Sequence, residues 1–426
     1  MKKKLISITV MIILIFALSA CGSSKDSGGK DGKVTLTLLT HYSAQQEDEL
    51  MKYIKMWNKE NPNIQVKHKS VNFDNLLSTV MAQQTSGQSS DIVHVYSLWG
   101  GQLNQSHVLA TPPKDVTDDI KSNYPDAAIK SSSVNGNLLG YPSEIETYAL
   151  FYNKKLLKEA GYDSPPKTWD EMYEMSEKLT KKDSKGKIKQ EGFGLLSGWD
   201  SAVVHPYLSL LYTNGGNFLS SNHKQAELNS PEAQQTFDYE MKFINSGITD
   251  RSFDAQKGFA NEDVAMTINA GWWLGSLKTT MKDKFKDVAV APIPSPDGNG
   301  QGSISYGYFY GVNNQSKHKE EAWKFLKWLN SKELDNGATG ESQFLVSQGI
   351  IPTRNSDIKA LSKELSDPNY KPFINALDFA KPEPNIFAGQ KIKTDLQKQI
   401  EQVWSKQTSV KNGLNNANKV INQELK

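Results

Sequence analysis

The sequence predicts an α/β protein with two domains, and three observations support this class. The chain has 426 residues, enough for two domains of ordinary size and a substantial buried core. Hydrophobic residues make up 37% and charged residues 23%, a balance typical of globular rather than disordered chains. Between residues 34 and 96, strand-like runs alternate with helix-like runs, and this β-α-β-α-β order favours a parallel sheet flanked by helices.

Charge and rare residues argue against several function classes. The formal net charge is +2, and without Lys2, Lys3 and Lys4 it becomes −1, so no concentrated basic face points to a nucleic-acid partner. The only cysteine is Cys21, which leaves no internal disulfide and no cysteine-based metal site or nucleophile elsewhere. The histidines show no H-x-x-x-H or H-x-H spacing. We therefore expect neither a metal nor a cofactor.

The first residues are typical of an exported lipoprotein. Residues 1–20 combine three lysines with an apolar run from Leu5 to Leu18, too short for a membrane span of about 20 residues, and this pattern predicts a signal peptide. The string Leu18-Ser19-Ala20-Cys21 resembles a bacterial lipobox, in which the cysteine is lipidated. An ordinary signal peptide with a chance cysteine is the alternative. Residues 21–33 are then a lipidated, flexible tether, and we expect a location at the extracellular face of the cell membrane, compatible with a Gram-positive surface.

The first folded elements follow from periodicity and capping. Alternation predicts a strand over Val34–Thr40. Ser43 and Gln46 fit a capping box for a helix that runs to about Glu60. Its apolar stripe, at helical spacing, is Leu50, Ile54 and Trp57. The next elements are predicted as a strand over 64–69, a helix over 73–84 and a strand over 91–96.

A central stretch from Asn135 to Met172 sets out a strand–helix–linker–helix unit. A Gly-bearing turn leads to a strand over 145–152, and the carboxylates Glu144 and Glu146 are carried by this extended segment. A short helix over 154–160 ends at a glycine, and two prolines then enforce an extended linker. Thr168 fits an N-cap for the following helix. The later predicted elements are helices over 169–181, 205–212, 231–246 and 317–330 and extended segments over 193–199, 288–296 and 306–312.

Three motifs in this order resemble the family 1 extracellular solute-binding proteins, the maltose-binding-protein-like receptors of sugar ABC importers. The first is Gly136…Gly140-Tyr141-Pro142…Phe151-Tyr152-Asn153-Lys154…Ala160-Gly161…Pro166-Lys167-Thr168-Trp169-Asp170-Glu171. The second is Ala265-Met266-Thr267-Ile268-Asn269, followed by Trp272. The third runs from Asn314 to Leu326 as N-x-S-K-x-x-E-x-A-x-x-F-L. The resemblance covers nearly all of residues 34–426.

The resemblance implies a two-lobed periplasmic-binding-protein-like (type II) fold, with a sheet flanked by helices in each lobe. It places residues 34–141 and 303–330 in the N-terminal lobe and residues 142–302 and 331–426 in the C-terminal lobe. The chain would cross between the lobes near Tyr141-Pro142 and near Gly302-Ser303. The partners implied are a carbohydrate held in the crevice and the permease subunits of an ABC transporter, with the receptor a monomer.

A sugar site needs aromatic faces for the C–H side of the ring and planar polar groups for the hydroxyls. Four tryptophans have apolar helical neighbours or follow an N-cap and are assigned to packing: Trp57, Trp169, Trp323 and Trp328. Trp404 fits either role. The tryptophans beside Gly, Ser or Asp at apparent strand ends are favoured as ligand contacts: Trp99, Trp199, Trp272 and Trp273. On an extended segment neighbours point oppositely, so at most one of the last two faces the ligand, and the family motif favours Trp272.

Polar and tyrosine candidates complete the predicted site. Tyr42 and Ser43 end the first strand, although helix capping explains Ser43 equally well. Glu146 matches a sugar-contacting carboxylate of the family, whereas a solvated face is the simpler interpretation of Glu144. Asp200 adjoins Trp199 in the family's second-lobe contact loop, and on the last predicted strand Tyr308 is preferred to Tyr306.

One departure and two alternatives remain. Ser97-Leu98-Trp99-Gly100-Gly101 stands where the maltose-binding member has an Asp-Arg pair, which argues against maltodextrin as the ligand. Two carboxylates on one strand face are the minimum for a secreted glycoside hydrolase, but no G-x-S-x-G, P-loop or H-E-x-x-H motif is present, so we expect no enzyme activity. A cell-surface polysaccharide-binding lipoprotein fits the leader and the aromatics, but not the two-lobe pattern.

Overall fold

The computed structural model describes residues 32–426, apart from the side chain of Gln45. The predicted signal peptide, Cys21 and tether residues 21–31 lie outside the described residues. The strands are β1 (Val34–Thr40), β2 (Ile64–Ser70), β3 (Ile92–Tyr96), β4 (Ser133–Val134), β5 (Asn137–Leu138), β6 (Tyr141–Asn153), β7 (Lys181–Lys182), β8 (Ile188–Gly194), β9 (Val264–Ala270), β10 (Val288–Ala291), β11 (Ile304–Val312) and β12 (Lys381–Pro382).

The α-helices are α1 (Ala44–Glu60), α2 (Phe73–Ser86), α3 (Gly100–Gln105), α4 (Lys114–Asn123), α5 (Asp126–Ser131), α6 (Lys154–Glu159), α7 (Trp169–Leu179), α8 (Asp200–Thr213), α9 (Pro231–Asn245), α10 (Ala255–Ala260), α11 (Trp273–Met281), α12 (Lys319–Ser331), α13 (Gly340–Ser347), α14 (Asn355–Ala360), α15 (Lys371–Ala376), α16 (Gly389–Trp404) and α17 (Val410–Glu424). Along residues 32–426, no helix combines the length and apolar character needed to cross a membrane.

Local sequence signals fix several element ends. Strand β1 occupies the predicted residues. At the start of α1 the backbone N–H of Ser43 donates to Oε1 of Gln46 at 3.0 Å. At the start of α7 the N–H of Glu171 donates to Oγ1 of Thr168 at 3.1 Å, and the Thr168 N–H donates back to the Glu171 carboxylate at 3.3 Å. These reciprocal bonds satisfy N–H groups that the first turn leaves unpaired, and the predicted N-cap is confirmed.

Helix α8 begins earlier than the sequence predicts. The sequence predicts this helix over residues 205–212, with its start at His205. The helix instead begins at Asp200 and carries Pro206 in its interior. Every residue from Ala202 to the end of α8 is buried. Packing on all sides therefore outweighs the local cost of the proline.

The main sheet runs in the order β2-β1-β3-β11-β6-β9-β8-β7. Strand β1 pairs in parallel with both β2 and β3, as the β-α-β-α-β succession predicts. Strand β11 then pairs antiparallel with β3 on one side and with β6 on the other. A strand from late in the chain thus completes the sheet that the first three strands begin.

Strand β6 is shared by the two lobes. Its first part, up to Thr147, pairs with β11. Its second part, from Tyr148 to Tyr152, pairs with β9, and its end also pairs with β10. The pairing partner therefore changes between Thr147 and Tyr148, further along the strand than the predicted crossing at Tyr141-Pro142. The adjacent Ser303 accepts the Tyr148 N–H through its Oγ at 2.8 Å, so both crossings meet at this point.

One large hydrophobic cluster spans both lobes, and each lobe adds a smaller cluster of its own. In the N-terminal lobe the predicted α1 stripe is buried together with Phe325 and Leu326 of α12. Phe344 and Leu345 of α13 lie in this same cluster, although the sequence assigns residues 331–426 to the other lobe. The lobe boundaries themselves stay a prediction. In the C-terminal lobe, strand β9 and helices α10 and α11 close a second cluster around Phe151.

Candidate functional site

A cavity of about 380 Å³ lies where β6 and β11 meet the strand ends of both lobes. Three alternate residues of β6 line it: Glu144, Glu146 and Tyr148. Two alternate residues of β11, Tyr306 and Tyr308, stand beside them, with Tyr306 directly opposite Glu146 in the register. Because side chains on a strand alternate between faces, one face of this strand pair forms the cavity floor.

Glu146 is a buried carboxyl group with one unused oxygen. Its Oε2 accepts the backbone N–H of Trp272 at 3.1 Å. Its Oε1 has no hydrogen-bond partner among the described residues, and the residue is only 4% exposed. Burial raises the pKa of Glu146 to about 8, although the N–H groups of Trp272 and Gly271 oppose that rise. The carboxyl group is therefore largely protonated at neutral pH in the free protein.

Glu144 and Glu341 form a pair of buried carboxyl groups beside Glu146. The Oγ of Ser143 lies 3.0 Å from Oε2 of Glu144 and 2.8 Å from Oε1 of Glu341 on α13. A hydroxyl group has one proton, so Ser143 cannot give a full hydrogen bond to both carboxyl groups at once. Burial, with Glu146 and Glu341 nearby, raises the pKa of Glu144 well above its usual value. Burial likewise raises the pKa of Glu341 to about 7.

Aromatic rings from the N-terminal lobe form one wall. The ring of His41 stacks on Tyr308 with 4.8 Å between centroids, and Tyr96 tilts against Tyr308 at 5.2 Å. Tyr42 follows His41, and Phe73 enters from the start of α2. Burial lowers the pKa of His41 to about 4, so this imidazole is neutral at physiological pH. The wall therefore offers ring faces rather than positive charge.

The C-terminal lobe supplies the opposite wall. Trp199 and Ser201 come from the start of α8, and Trp272 comes from the turn between β9 and α11. Trp272 packs against hydrophobic clusters of both lobes. A bound molecule in this cavity would therefore touch the N-terminal lobe, the C-terminal lobe and the shared strand pair at once.

A buried ionic network lies next to the cavity. Nζ of Lys393 on α16 lies 2.9 Å from Oε1 of Glu383 and 3.6 Å from Oδ1 of Asp200. Nε2 of His205 lies 2.6 Å from the same Glu383 oxygen. Burial would raise the pKa of Glu383, but Lys393 and His205 outweigh it and lower the pKa to about 2.

The network also holds residues that line the cavity. Lys393 donates to the hydroxyl oxygens of Tyr96 at 2.8 Å and Ser201 at 2.7 Å. The hydroxyl group of Tyr148 lies 3.0 Å from Nδ1 of His205. These contacts fix polar groups from the N-terminal lobe, the C-terminal lobe and β6 in one arrangement.

The cavity brings together six of the residues singled out from the sequence: Tyr42, Glu144, Glu146, Trp199, Trp272 and Tyr308. Trp99 and Asp200 line a neighbouring groove of about 530 Å³, which shares Phe73, Asp74 and Trp199 with the cavity. The indole N–H of Trp99 donates to Oε1 of Gln390, which lies in the same groove.

Two predicted site residues lie elsewhere. Ser43 is exposed at the start of α1, where its contacts are those of the capping box. Trp273 is buried against Phe151 and Phe259 in the C-terminal cluster. The pair at 272–273 is not an extended segment, because β9 ends at Ala270 and a helix begins at Trp273. The extended segment on which the expectation for this pair depended is therefore absent, and a ligand contact by Trp272 stays a prediction.

Several lining residues were missed by the sequence analysis. Tyr148 shares its strand face with Glu146 two positions away, so the alternation that related Glu144 to Glu146 also pointed to it. Tyr306, ranked second to Tyr308, lines the cavity as well. No sequence signal pointed to Tyr96 or to Lys393, because their places depend on how distant segments pack. Trp404, which fitted either role, is buried and donates its N–H to Glu240.

Comparison with known proteins gives concordant results. Residues 43–335 match the family described as bacterial extracellular solute-binding protein. The chain is 26% identical to the maltodextrin-binding protein of Bacillus subtilis over 100% of this chain and 98% of that protein. It is 24% identical to the multiple sugar-binding protein of Streptococcus mutans over 81% of this chain and 83% of that protein.

A solved structure supports the architecture. The GacH receptor of Streptomyces glaucescens, described unliganded and in complex with acarbose, superposes with a TM-score of 0.81 at 23% identity, covering 92% of this chain and 98% of that one. The predicted two-lobed type II fold is confirmed by this likeness.

Proposed function

This chain belongs to the bacterial extracellular solute-binding proteins, and on that premise we propose that it captures a sugar or oligosaccharide between its lobes and delivers it to an ABC importer. The observation that carries the proposal is the cavity itself, in which tyrosine and tryptophan rings from both lobes surround buried carboxyl groups. The names of the maltodextrin-binding and multiple sugar-binding relatives point the same way.

The chemistry of the cavity suits a polyhydroxylated ring. Trp199 and Trp272 offer flat faces to the C–H side of a pyranose from the C-terminal lobe. Glu146 offers an unpartnered oxygen to a hydroxyl group, and Ser201 and Tyr148 add hydroxyl groups of their own. Residues from several elements thus supply both kinds of contact that a carbohydrate needs.

Strand β6, which both lobes share, suggests how the two lobes close around a ligand. We propose that the lobes predicted from the sequence move as units with two changes: residues 142–147 and α13 move with residues 34–141 and 303–330, and residues 148–302 move with the rest of 331–426. Bending near Thr147 and Ser303 would open the cavity, since the pairing partner of β6 changes there. A ligand that contacts both walls binds the closed form better and shifts the equilibrium towards it.

The setting of the receptor is also part of the proposal. Lipidation of Cys21 would anchor a monomer to the extracellular face of the cell membrane, with residues 21–33 as tether and the permease subunits of the importer as partner. The lipobox-like string and the extracellular character of the family support this setting.

We propose no catalysis. Glycosidases place two carboxyl groups on either side of the scissile bond. Glu144 and Glu146 instead lie two positions apart on the same face of one strand, so both approach a ligand from one side. Release of reducing sugar from soluble glycans would support the hydrolase alternative, and binding only to insoluble polymer would support the polysaccharide-binding alternative.

The test is calorimetric titration of sugars found by a thermal-shift screen of mono-, di- and oligosaccharides. We expect Trp272→Ala to weaken sugar binding at least tenfold, because it removes a ring face from the cavity. Trp328→Ala is the matched control, since Trp328 is half-buried on α12 and contacts Trp57 and Glu60 outside the cavity. If Trp272→Ala stays within twofold of the wild-type affinity, the site is misplaced.

A further inference from the structure

We propose that the carbohydrate taken by this cavity carries a protonated amino group, as in an amino sugar or an oligosaccharide that contains one. The inference rests on the proposed function and narrows its ligand class. It depends on three observations: which ionisable residues line the cavity, the oxygen of Glu146 that has no hydrogen-bond partner among the described residues, and the arrangement of the aromatic rings.

The ionisable residues that line the cavity are mainly acidic. The cavity is lined by three acidic residues, Asp74, Glu144 and Glu146. Among the described residues that line it, there is no lysine and no arginine. The one histidine, His41, is half-buried, and its buried Nδ1 has no hydrogen-bond partner on any residue that the structure describes. A third buried carboxyl group, Glu341, stands behind Glu144 and shares Ser143 with it.

The buried cation of the neighbouring ionic network is already neutralised. Lys393 is 2% exposed and lies between Glu383 and Asp200, at 2.9 Å and 3.6 Å. Its remaining donors reach the hydroxyl groups of Tyr96 and Ser201. Lys393 therefore balances the acids of its own network, and in the described part of the chain neither Glu144 nor Glu146 forms an ion pair.

Glu146 shows where the positive charge of a ligand would sit. Its Oε2 is held by the Trp272 N–H, which fixes the orientation of the carboxyl group. Its Oε1 is buried and has no hydrogen-bond partner in the portion of the chain that is described, and Glu146 is one of the residues that line the cavity. A buried polar atom without a partner is costly, and an ammonium group donates up to three charge-assisted hydrogen bonds to such atoms.

The surrounding rings favour the same guest. Trp272 is next to Glu146 through its backbone, and Tyr148 and Tyr306 flank that carboxyl group on the cavity floor. Faces of indole and phenol rings attract cations, and the attraction grows when the cation is desolvated. Carboxyl groups within an aromatic enclosure are thus complementary to an ammonium group carried on an otherwise polyhydroxylated ring.

A neutral sugar would not interact with the carboxyl groups of the cavity through charge. Its hydroxyl groups can fill the hydrogen bonds of Glu146, but they bring no positive charge that would stabilise the ionised form of this buried carboxyl group. An ammonium group brings that charge and favours the ionised form of Glu146, which would release its proton on binding. The cavity is therefore expected to discriminate between sugars that differ only by an amine in place of a hydroxyl group.

The experiment compares matched ligands by isothermal titration calorimetry at pH 7. The pairs are glucosamine against glucose, and the β-1,4-linked glucosamine trimer against cellotriose, with maltotriose as a neutral sugar of other linkage. We expect the better amine to bind at least tenfold more tightly than every neutral ligand. In Glu146→Gln we expect that preference to fall to within threefold. Glu240→Gln, a buried carboxyl group outside the cavity that accepts the Trp404 N–H, should keep the preference.

The outcomes separate the two proposals. Neutral sugars that bind as tightly as the amines overturn the amine inference and leave the proposed function standing. Failure of every sugar, charged or neutral, overturns both. A preference that survives in Glu146→Gln also overturns the inference, because the charge recognised would then not be that of Glu146. Thermal denaturation of each variant shows that loss of preference is not loss of fold, and the wild-type comparison decides the case even if Glu146→Gln does not fold.

Discussion

Glu146→Gln should make the protein more stable at neutral pH, although it removes a residue from the proposed binding site. Glutamine has the shape of a protonated glutamic acid and keeps an oxygen to accept the Trp272 N–H, which lies 3.1 Å from Oε2 of Glu146 in the wild type. It carries no charge in either the folded or the unfolded chain. The substitution thus removes the pH-dependent part of the contribution of Glu146 to stability and leaves its packing in place.

The size of the effect follows from the pKa. Burial raises the pKa of Glu146 from 4.5 to about 8, so between these values the folded protein holds a proton that the unfolded chain has lost. Stability then falls as pH rises, by about 1.4 kcal/mol per pH unit. At pH 7 the wild type is expected to be about 3 kcal/mol less stable than the variant, and below about pH 4.5 the two should coincide.

The assay is thermal denaturation followed by circular dichroism from pH 4 to pH 8. At about 2–4 °C per kcal/mol for domains of 150–250 residues, the Tm of the variant should exceed that of the wild type by roughly 6–12 °C at pH 7. Glu240, whose pKa burial also raises to about 8, supplies the control: Glu240→Gln should show the same pH-dependent gain without changing ligand affinity. Two Tm curves that stay parallel from pH 4 to pH 8 would refute the reasoning.

Three further substitutions test packing and capping by urea unfolding. Lys393→Met leaves Glu383 buried without its cation and should lower the free energy of unfolding by about 3–5 kcal/mol at pH 7. Because the pKa of Glu383 is lowered to about 2, this cost should shrink as pH falls from 4.5 to 2. A cost below about 1 kcal/mol at pH 7 would contradict the role of the ion pair. Thr168→Ala removes the N-cap of α7 and should cost about 1 kcal/mol, whereas an unchanged midpoint would show that the cap is dispensable. Gly140→Ala would place a Cβ 2.0 Å from the carbonyl oxygen of Tyr310 and should cost about 1–3 kcal/mol, and full stability would mean that β11 moves freely at this point.

Periodicity and capping predicted the elements, because these signals are local. The alternation over Val34–Thr40 and the capping box at Thr168 involve residues within a turn or a strand of one another, and the structure has them as predicted. The start of α8 was predicted wrongly for a related reason. Helix α8 begins at Asp200 and is buried from Ala202 to its end, and burial depends on residues far away in the chain.

Strand alternation and the family motifs singled out some of the residues that line the cavity. Alternation related Glu144 to Glu146, and the family motif singled out Trp272; all three line the cavity. Lys393 and Glu383 were beyond reach, because α16 and the segment before it contain no motif that places them beside β3 and α8. The stacking of His41 on Tyr308 likewise joins segments that only the folded sheet brings together.

The position of β11 in the sheet determines when the N-terminal sheet can be completed during synthesis of the chain. This strand lies between β3 and β6, and it brings Tyr310 into contact with Tyr42, 268 positions earlier in the chain. A nascent chain that ends before Ile304 has the first three strands but lacks the neighbour that completes their sheet. The amino-terminal half must therefore wait, with an open sheet edge, until most of the polypeptide has been synthesised.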